Sequence, residues 1–397
     1  MASGFSIIYL GVDLKISLIY KVPLFALILV LIASYEPRQF LTLVSFILFS
    51  FIGPLVQFFD YARADFLLFD FATLVKVYTP IAVVLWLRIL VNVDSAFAKT
   101  IIEKIIWTSF LLLSVNFVLG ALGIGKSTYE SSGEDGAGST GLIIAGNELG
   151  GAFLVTFCFV LHKVWNDRKY FQYLLLSLFT VACGFIVSTK TTMLASLLIV
   201  LLVPIFNERD RFYSITRLKL YILVPFILLI SILVYLVFDI LQAIGLYDRI
   251  MWFYEKRGLL GILLSGRDEM IADKMDIVVN QSVLFEQIFG QGQAISLKDK
   301  LGSAATEVDS FDLFNLYGIF TLILIGTFYL YHLIKSHSLL LTKSFYGPYI
   351  FLTSLILFSL SQLSGHIWNS GTVGLLLGCM IGLIYVERSN ESYCINR

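Results

Sequence analysis

The chain has 397 residues, 58% of them hydrophobic and only 14% charged, with 28 Lys and Arg against 28 Asp and Glu. Soluble proteins are about 45–50% apolar and about 25% charged, so this composition excludes a soluble fold. The zero net charge also excludes both a basic surface for nucleic acid and an acidic, disordered chain.

A helix needs roughly 20 apolar residues to cross about 30 Å of hydrocarbon. In chain order the apolar runs predict eleven spans, at 16–35, 39–59, 66–87, 105–124, 141–161, 170–189, 191–206, 220–245, 309–331, 345–363 and 370–386, with residues 3–19 open as a twelfth. Asp13 and Lys15 interrupt the first apolar stretch, so no cleaved signal peptide is expected. The expected fold class is therefore all-α: a single polytopic membrane domain over 1–397. Cys158, Cys183 and Cys379 fall inside apolar runs and Cys394 in the tail, which suits packing residues better than a disulfide framework.

Lys and Arg in short loops set the orientation. Strict alternation places Arg38, Arg88, Lys99, Lys104, Lys163, Arg168, Lys169, Arg209, Arg211, Arg217, Lys219, Lys335, Lys343 and Arg388 inside. The short outer segments then hold Lys15, Lys21, Arg63, Lys126 and Lys190, and the large loop 246–308 is extracytoplasmic. The Gly/Ser-rich outer segment 125–140 reads as a mobile link or lid without a core of its own. Within the large loop, Ser265 and Asp268 fit a capping box. Ile271, Met275 and Val278 follow at helical spacing while Asp273, Lys274 and Asp276 take other faces, predicting an amphipathic surface helix with Arg267 in its first turn.

Ionisable groups inside a membrane are costly and mark functional candidates. Lys76 lies mid-span in FATLVKVYTPIA, where a structural pairing explains it as well as a ligand does. Asn147 and Glu148 form a polar pair among glycines in GLIIAGNELGGAF; helix packing accounts for the glycines but not for the Glu. Lys190 sits in the polar break VSTKTTML, a poor place for Lys on the outer side unless it binds an anion. Glu307, Asp309 and Asp312 crowd the outer entrance of a span in TEVDSFDLFNLYG, with Asn315 and Gly318 on one helical face beyond them. Favourable helix-end electrostatics accounts for one of the three carboxylates, assigned to Asp312. His366 occupies the last outer loop, GHIWNSG. The orientation places Lys190, Arg267, Glu307, Asp309 and His366 on one side of the membrane.

These motifs, in this order and on this topology, resemble the O-antigen ligase and polysaccharide polymerase superfamily of bacterial membrane enzymes. Lys190 holds a place where many members carry Arg, and Arg267 matches a second family Arg before a helix of the large loop. Glu307, eleven residues before Gly318, stands where ligases and many polymerases have a His-Asn pair, with Asp309 two further on. The acidic pair points to the capsule and exopolysaccharide polymerase branch. The resemblance implies a GT-C-like bundle in the bacterial cytoplasmic membrane, with a metal-independent, cofactor-free site facing the periplasm or cell exterior. It implies that undecaprenyl diphosphate-linked oligosaccharides are joined with undecaprenyl diphosphate as leaving group. Lys190 and Arg267 would bind diphosphate, Glu307, Asp309 or His366 would act in catalysis, and Asn147, Glu148 and Lys76 are further substrate-binding candidates. Partners would be the lipid-linked glycan, membrane lipids and a regulator of chain length, with no nucleic acid. The alternatives are a ligase using another acceptor and a lipid-linked oligosaccharide flippase.

The orientation has a direct check. Asp135→Cys, in a chain without native Cys, is expected to react with an impermeant thiol reagent in cells whose outer membrane, if any, is permeabilised; labelling only after the cytoplasmic membrane is opened reverses the assignment.

Overall fold

The computed structural model describes residues 2–11, 16–129, 137–143, 146–235, 266–299, 302–342 and 344–395, with isolated positions between 239 and 258. Helices dominate, and one appears at the place of each expected apolar run. α1 (Ala2–Leu10) rises only about 14 Å, too little to cross a membrane, so it forms no twelfth span by itself. α2 (Ile16–Tyr35) follows. α3 (Pro37–Ser50) opens on a proline whose missing N–H would have had no helical partner anyway. It meets α4 (Ile52–Tyr61) at Phe51, where Pro54 cannot donate to the preceding turn. α5 (Ala64–Val93) and α6 (Ser95–Ala121) are long.

The chain then forms a two-stranded antiparallel hairpin, β1 (Lys126–Tyr129) with β2 (Ala137–Gly141), before α7 (Gly146–Asn166), α8 (Tyr170–Val187), α9 (Lys190–Phe206) and α10 (Arg217–Tyr235). The expected span at 220–245 is thus described only to Tyr235. α11 (Arg267–Asp276), α12 (Leu284–Phe289) and α13 (Ile295–Lys298) build the large loop. α14 (Asp309–Leu340), α15 (Gly347–Leu363) and α16 (Gly371–Ile395) complete the chain. Among the described residues seven helices are long and apolar enough to cross a membrane, and Ile19–Tyr35, Lys190–Phe206 and Gly347–Leu363 are shorter apolar helices.

The chain divides into two compact units. One comprises Met1–Ile16, Ile101–Leu263 and Ile334–Leu357; the other comprises Ser17–Thr100, Leu264–Leu333 and Phe358–Arg397. In the first, the hairpin corrects the expectation of a coreless link at 125–140. Thr128 Oγ1 donates to the Val187 carbonyl at 2.7 Å, Asn116 Nδ2 donates to the Thr140 carbonyl at 2.9 Å, and Leu142 N–H donates to Asn116 Oδ1 at 2.8 Å. The strand also moves the start of the span expected at 141 to Gly146. Residues 130–136 lie outside the described residues.

In the second unit α5 and α16 pack along small residues: a Cβ at Gly378 would lie 2.7 Å from that of Val83, and one at Gly374 would lie 3.2 Å from Pro80 Cδ. The loop before α14 is a packed structure and more than one amphipathic helix. Its first helix is capped by Gly266 in the left-handed region (φ 86°), without a side-chain bond; Ser265 of the expected capping box lies outside the described residues. Lys274 was expected on a polar face, but it is buried and its ammonium pairs with Asp299 Oδ1 at 2.6 Å. The chain folds back after the π-helical turn Ile277–Gln281, which brings residues 274 and 299 together.

The far end of this loop seats on α4, α5 and α14. A Cβ at Gly53 would lie 2.2 Å from the Phe289 carbonyl oxygen, and one at Gly318 would lie 2.1 Å from that of Ile288. Gln293 N–H donates to both oxygens of buried Asp70, at 3.0 and 3.1 Å. Gly318 (φ 76°, ψ 177°) interrupts α14, so Asn315 and Gly318 do not continue one helical face as expected. The Asn315 carbonyl accepts from Gln291 N–H at 3.1 Å.

Removing one member of a buried ion pair leaves the other charge uncompensated, at a cost of about 3–5 kcal/mol. Lys274→Met is therefore expected to lower the thermal midpoint of the detergent-solubilised protein markedly, and Lys274→Met with Asp299→Leu is expected to recover most of that loss.

Candidate functional site

The second unit brings together four of the sequence candidates. Two turns build the site, one entering α14 and one leaving α15. In the first, Asp312 Oδ1 accepts from Thr306 N–H at 2.5 Å and from Thr306 Oγ1 at 2.8 Å, drawing the chain into a tight bend. Asp312 thus acts by pinning this turn, more specifically than the helix-end electrostatics expected of it. Glu307 follows in the left-handed region (φ 59°), a conformation costly for a residue with a Cβ that persists only when its surroundings fix it. Part of that fixing is visible at Gly365 (φ 60°), where a Cβ would stand 2.5 Å from the Glu307 carbonyl oxygen.

Asp309 joins the turns. Its buried carboxylate accepts three backbone N–H groups of the second turn, from His366 at 2.8 Å and from Ile367 and Trp368 at 2.9 Å each. Three donors on one carboxylate form a strong, charge-assisted cradle. This geometry makes Asp309 a positioning residue, and it holds His366, itself at φ 61°, beside Glu307's turn. The Trp368 ring stacks on Tyr329 with centroids 4.9 Å apart, and Ser370 Oγ caps α16 by accepting from Val373 N–H at 3.1 Å. The second turn is thus fixed at both ends.

Arg267 reaches this clasp from the first turn of α11, and its Nη2 donates to Glu307 Oε2 at 2.9 Å. The Glu307 side chain is 44% exposed and that of Arg267 13%, so the pair lies at the surface of the clasp with Asp309 beneath. A half-exposed carboxylate beside a fixed guanidinium can exchange a proton with a bound hydroxyl, and the guanidinium can bind a phosphate through more than one N–H.

The other candidates sit elsewhere. In the first unit Ser188 takes the left-handed region (φ 58°), Thr189 caps α9 by accepting from Thr192 N–H at 3.2 Å, and Lys190 is the first helical residue, half-buried. Glu148 lies half-buried in the first turn of α7, and Gly150 there lets the helix approach Thr192, whose Oγ1 would be 3.0 Å from an added Cβ. The Asn147 side chain lies outside the described residues. Lys76, in the second unit, is half-buried in α5. Among the described residues no three His, Cys, Asp or Glu side chains converge to hold a metal ion. Asp70 and the Asn315 carbonyl leave no local signal in the sequence, because their roles depend on a loop more than 200 residues away in one case and on a helix break in the other.

No family model, characterised protein or solved structure matches the chain. The apolar helices define the protein as an all-α, multi-pass membrane protein.

The two acidic residues are expected to differ under hydrogen exchange. Asp309→Ala strips the acceptors from three amides, so residues 364–370 are expected to exchange faster. Glu307→Gln is expected to leave their protection unchanged, and equal effects would erase the distinction.

Proposed function

We propose that the protein is a polysaccharide polymerase. It joins undecaprenyl diphosphate-linked oligosaccharide repeat units on the outer face of the bacterial cytoplasmic membrane, in a GT-C-like bundle. The observation that carries this reading is the Arg267–Glu307 pair at 2.9 Å, held in a clasp that Asp309 closes. A cation for a diphosphate and a half-exposed carboxylate for a hydroxyl proton are the two groups such a transfer needs.

The acceptor hydroxyl oxygen attacks the anomeric carbon of the donor glycan. The bond from that carbon to the diphosphate oxygen breaks, its electron pair leaves with undecaprenyl diphosphate, and the hydroxyl proton passes to Glu307. The guanidinium stabilises the charge that develops on the leaving group. An arriving diphosphate competes with Glu307 for Arg267, so substrate binding frees the carboxylate that acts as base. Asp309 holds the His366 turn in place, and His366 contacts the acceptor sugar. Lys190 also binds diphosphate, on the strength of the motif it occupies, with Asn147, Glu148 and Lys76 as further substrate contacts. The reading calls for no cofactor or metal; a chain-length regulator is the protein partner it accommodates.

The test is the ladder of glycan lengths on a gel, at matched protein levels. Arg267→Ala and Lys190→Ala are expected to abolish polymer, Lys190→Arg to retain it, and Arg267→Lys to retain less, because a point charge does not replace two-point phosphate binding. Glu307→Gln is expected to slow elongation by about 10²- to 10⁴-fold, leaving single repeat units on the carrier. A normal ladder from Glu307→Gln removes it as the base, and full polymer from either alanine variant removes that cation from the mechanism.

A further inference from the structure

The large loop before α14 packs well inside the ends of the helices it touches. Its Phe289–Gly290 corner packs on Gly53, eight residues inside the Tyr61 end of α4, and its Ile288 carbonyl packs on Gly318, nine residues inside the Asp309 end of α14. At 1.5 Å per residue these seats lie about 12–14 Å below the helix ends. The Phe289 ring meets Phe49 at 5.0 Å, deeper still on α3. Gln293 is held by Asp70, six residues inside α5, about 9 Å down. The aqueous boundary on this side is marked by the exposed Arg63–Asp65 pair, 2.6 Å apart, where α5 begins.

A non-helical backbone at that depth must have its polar groups satisfied by protein. Here Gln291 N–H donates to the Asn315 carbonyl, Gln293 N–H to Asp70, and Gly290 N–H to the Glu286 carbonyl at 2.8 Å. The loop's charges are paired as well: Lys298 Nζ lies 3.2 Å from Glu286 Oε1, which also accepts from Gln57 Nε2 of α4 at 3.0 Å. The two arms are closed at their neck by the buried Lys274–Asp299 pair. Yet three consecutive side chains on this structure point outward, Val283, Leu284 and Phe285, with 64%, 71% and 38% of their surface exposed. Such a run forgoes the hydrophobic gain of burial if it faces water, and recovers it if it faces hydrocarbon.

We infer that residues 277–298 form a re-entrant hairpin that dips into the leaflet on its own side of the membrane, and that Val283, Leu284 and Phe285 are a lipid-contact surface for its acyl chains. The inference depends on the multi-pass fold and not on the polymerase reading or on which side is outside. It is tested with the full chain, freed of native Cys and reconstituted in vesicles of phosphatidylethanolamine and phosphatidylglycerol. Spin labels are placed at Leu284→Cys and, independently, Val283→Cys, with Leu68→Cys on exposed α5 surface as the hydrocarbon reference and Ala272→Cys on α11 as the aqueous reference. Power saturation with oxygen and with a water-soluble nickel chelate is expected to give an oxygen-to-nickel collision ratio at 283 and 284 severalfold above that at 272 and close to that at 68. Ratios at 283 and 284 equal to that at 272 would place the segment in water and overturn the inference.

Discussion

A backbone carbonyl released inside hydrocarbon has no water to turn to, and an unmet one costs several kcal/mol. That constraint acts at Gly318. With φ 76° and ψ 177° it cannot carry the α-helical ladder through α14, and the Asn315 carbonyl takes its donor from Gln291 in the loop. The loop end is pulled into the bundle as a result, close enough that Gly53, Gly290 and Gly318 have no room for a side chain. Because α11 belongs to the same loop, its seating also fixes the helix from which Arg267 reaches Glu307. The broken helix and the candidate site are therefore one construction, with Gly318 nine residues beyond Asp309 along α14.

Two carboxylates of that construction look alike in sequence and do different work. Asp309 is buried and spends both oxygens on three amides of the 366–368 turn, whereas Glu307 is half-exposed and faces a single guanidinium. Separating a carboxylate that shapes the loop from one that meets the substrate lets the second change partners without unfolding the first. The left-handed Glu307 and His366 lie on either side of this cradle, and such backbone strain is held only where neighbours over-determine it.

The helices were legible because hydropathy alone decides which runs can lie in a bilayer. The hairpin was not: KSTY and AGSTG have no apolar alternation, so nothing distinguishes them from a flexible link until Val187 and Asn116 supply their bonds. Lys274 was misplaced because helical periodicity assigns charges outward, and its partner, Asp299, is too distant in sequence to leave a local trace. Gly318 drew notice by its spacing from Glu307, but a glycine within a helical pattern is commonly tolerated, and its break shows only in the backbone. Arg267 and Glu307 were legible as candidates, each in its own motif; that they meet was not.

The hairpin also has a consequence for biosynthesis. Its Thr128 hydroxyl is bonded to Val187, 59 positions later in the chain, and Gly138 sits against Ser188 so closely that no side chain fits. At about 5–20 residues per second the ribosome takes about 3–12 s to make that intervening stretch. For most of this interval β1 and β2 are already made while the end of α8 that receives them is not. The polar, glycine-rich character of the strands then has a second use: a segment so poor in apolar side chains can wait beside a membrane without being drawn into it or pairing with another chain.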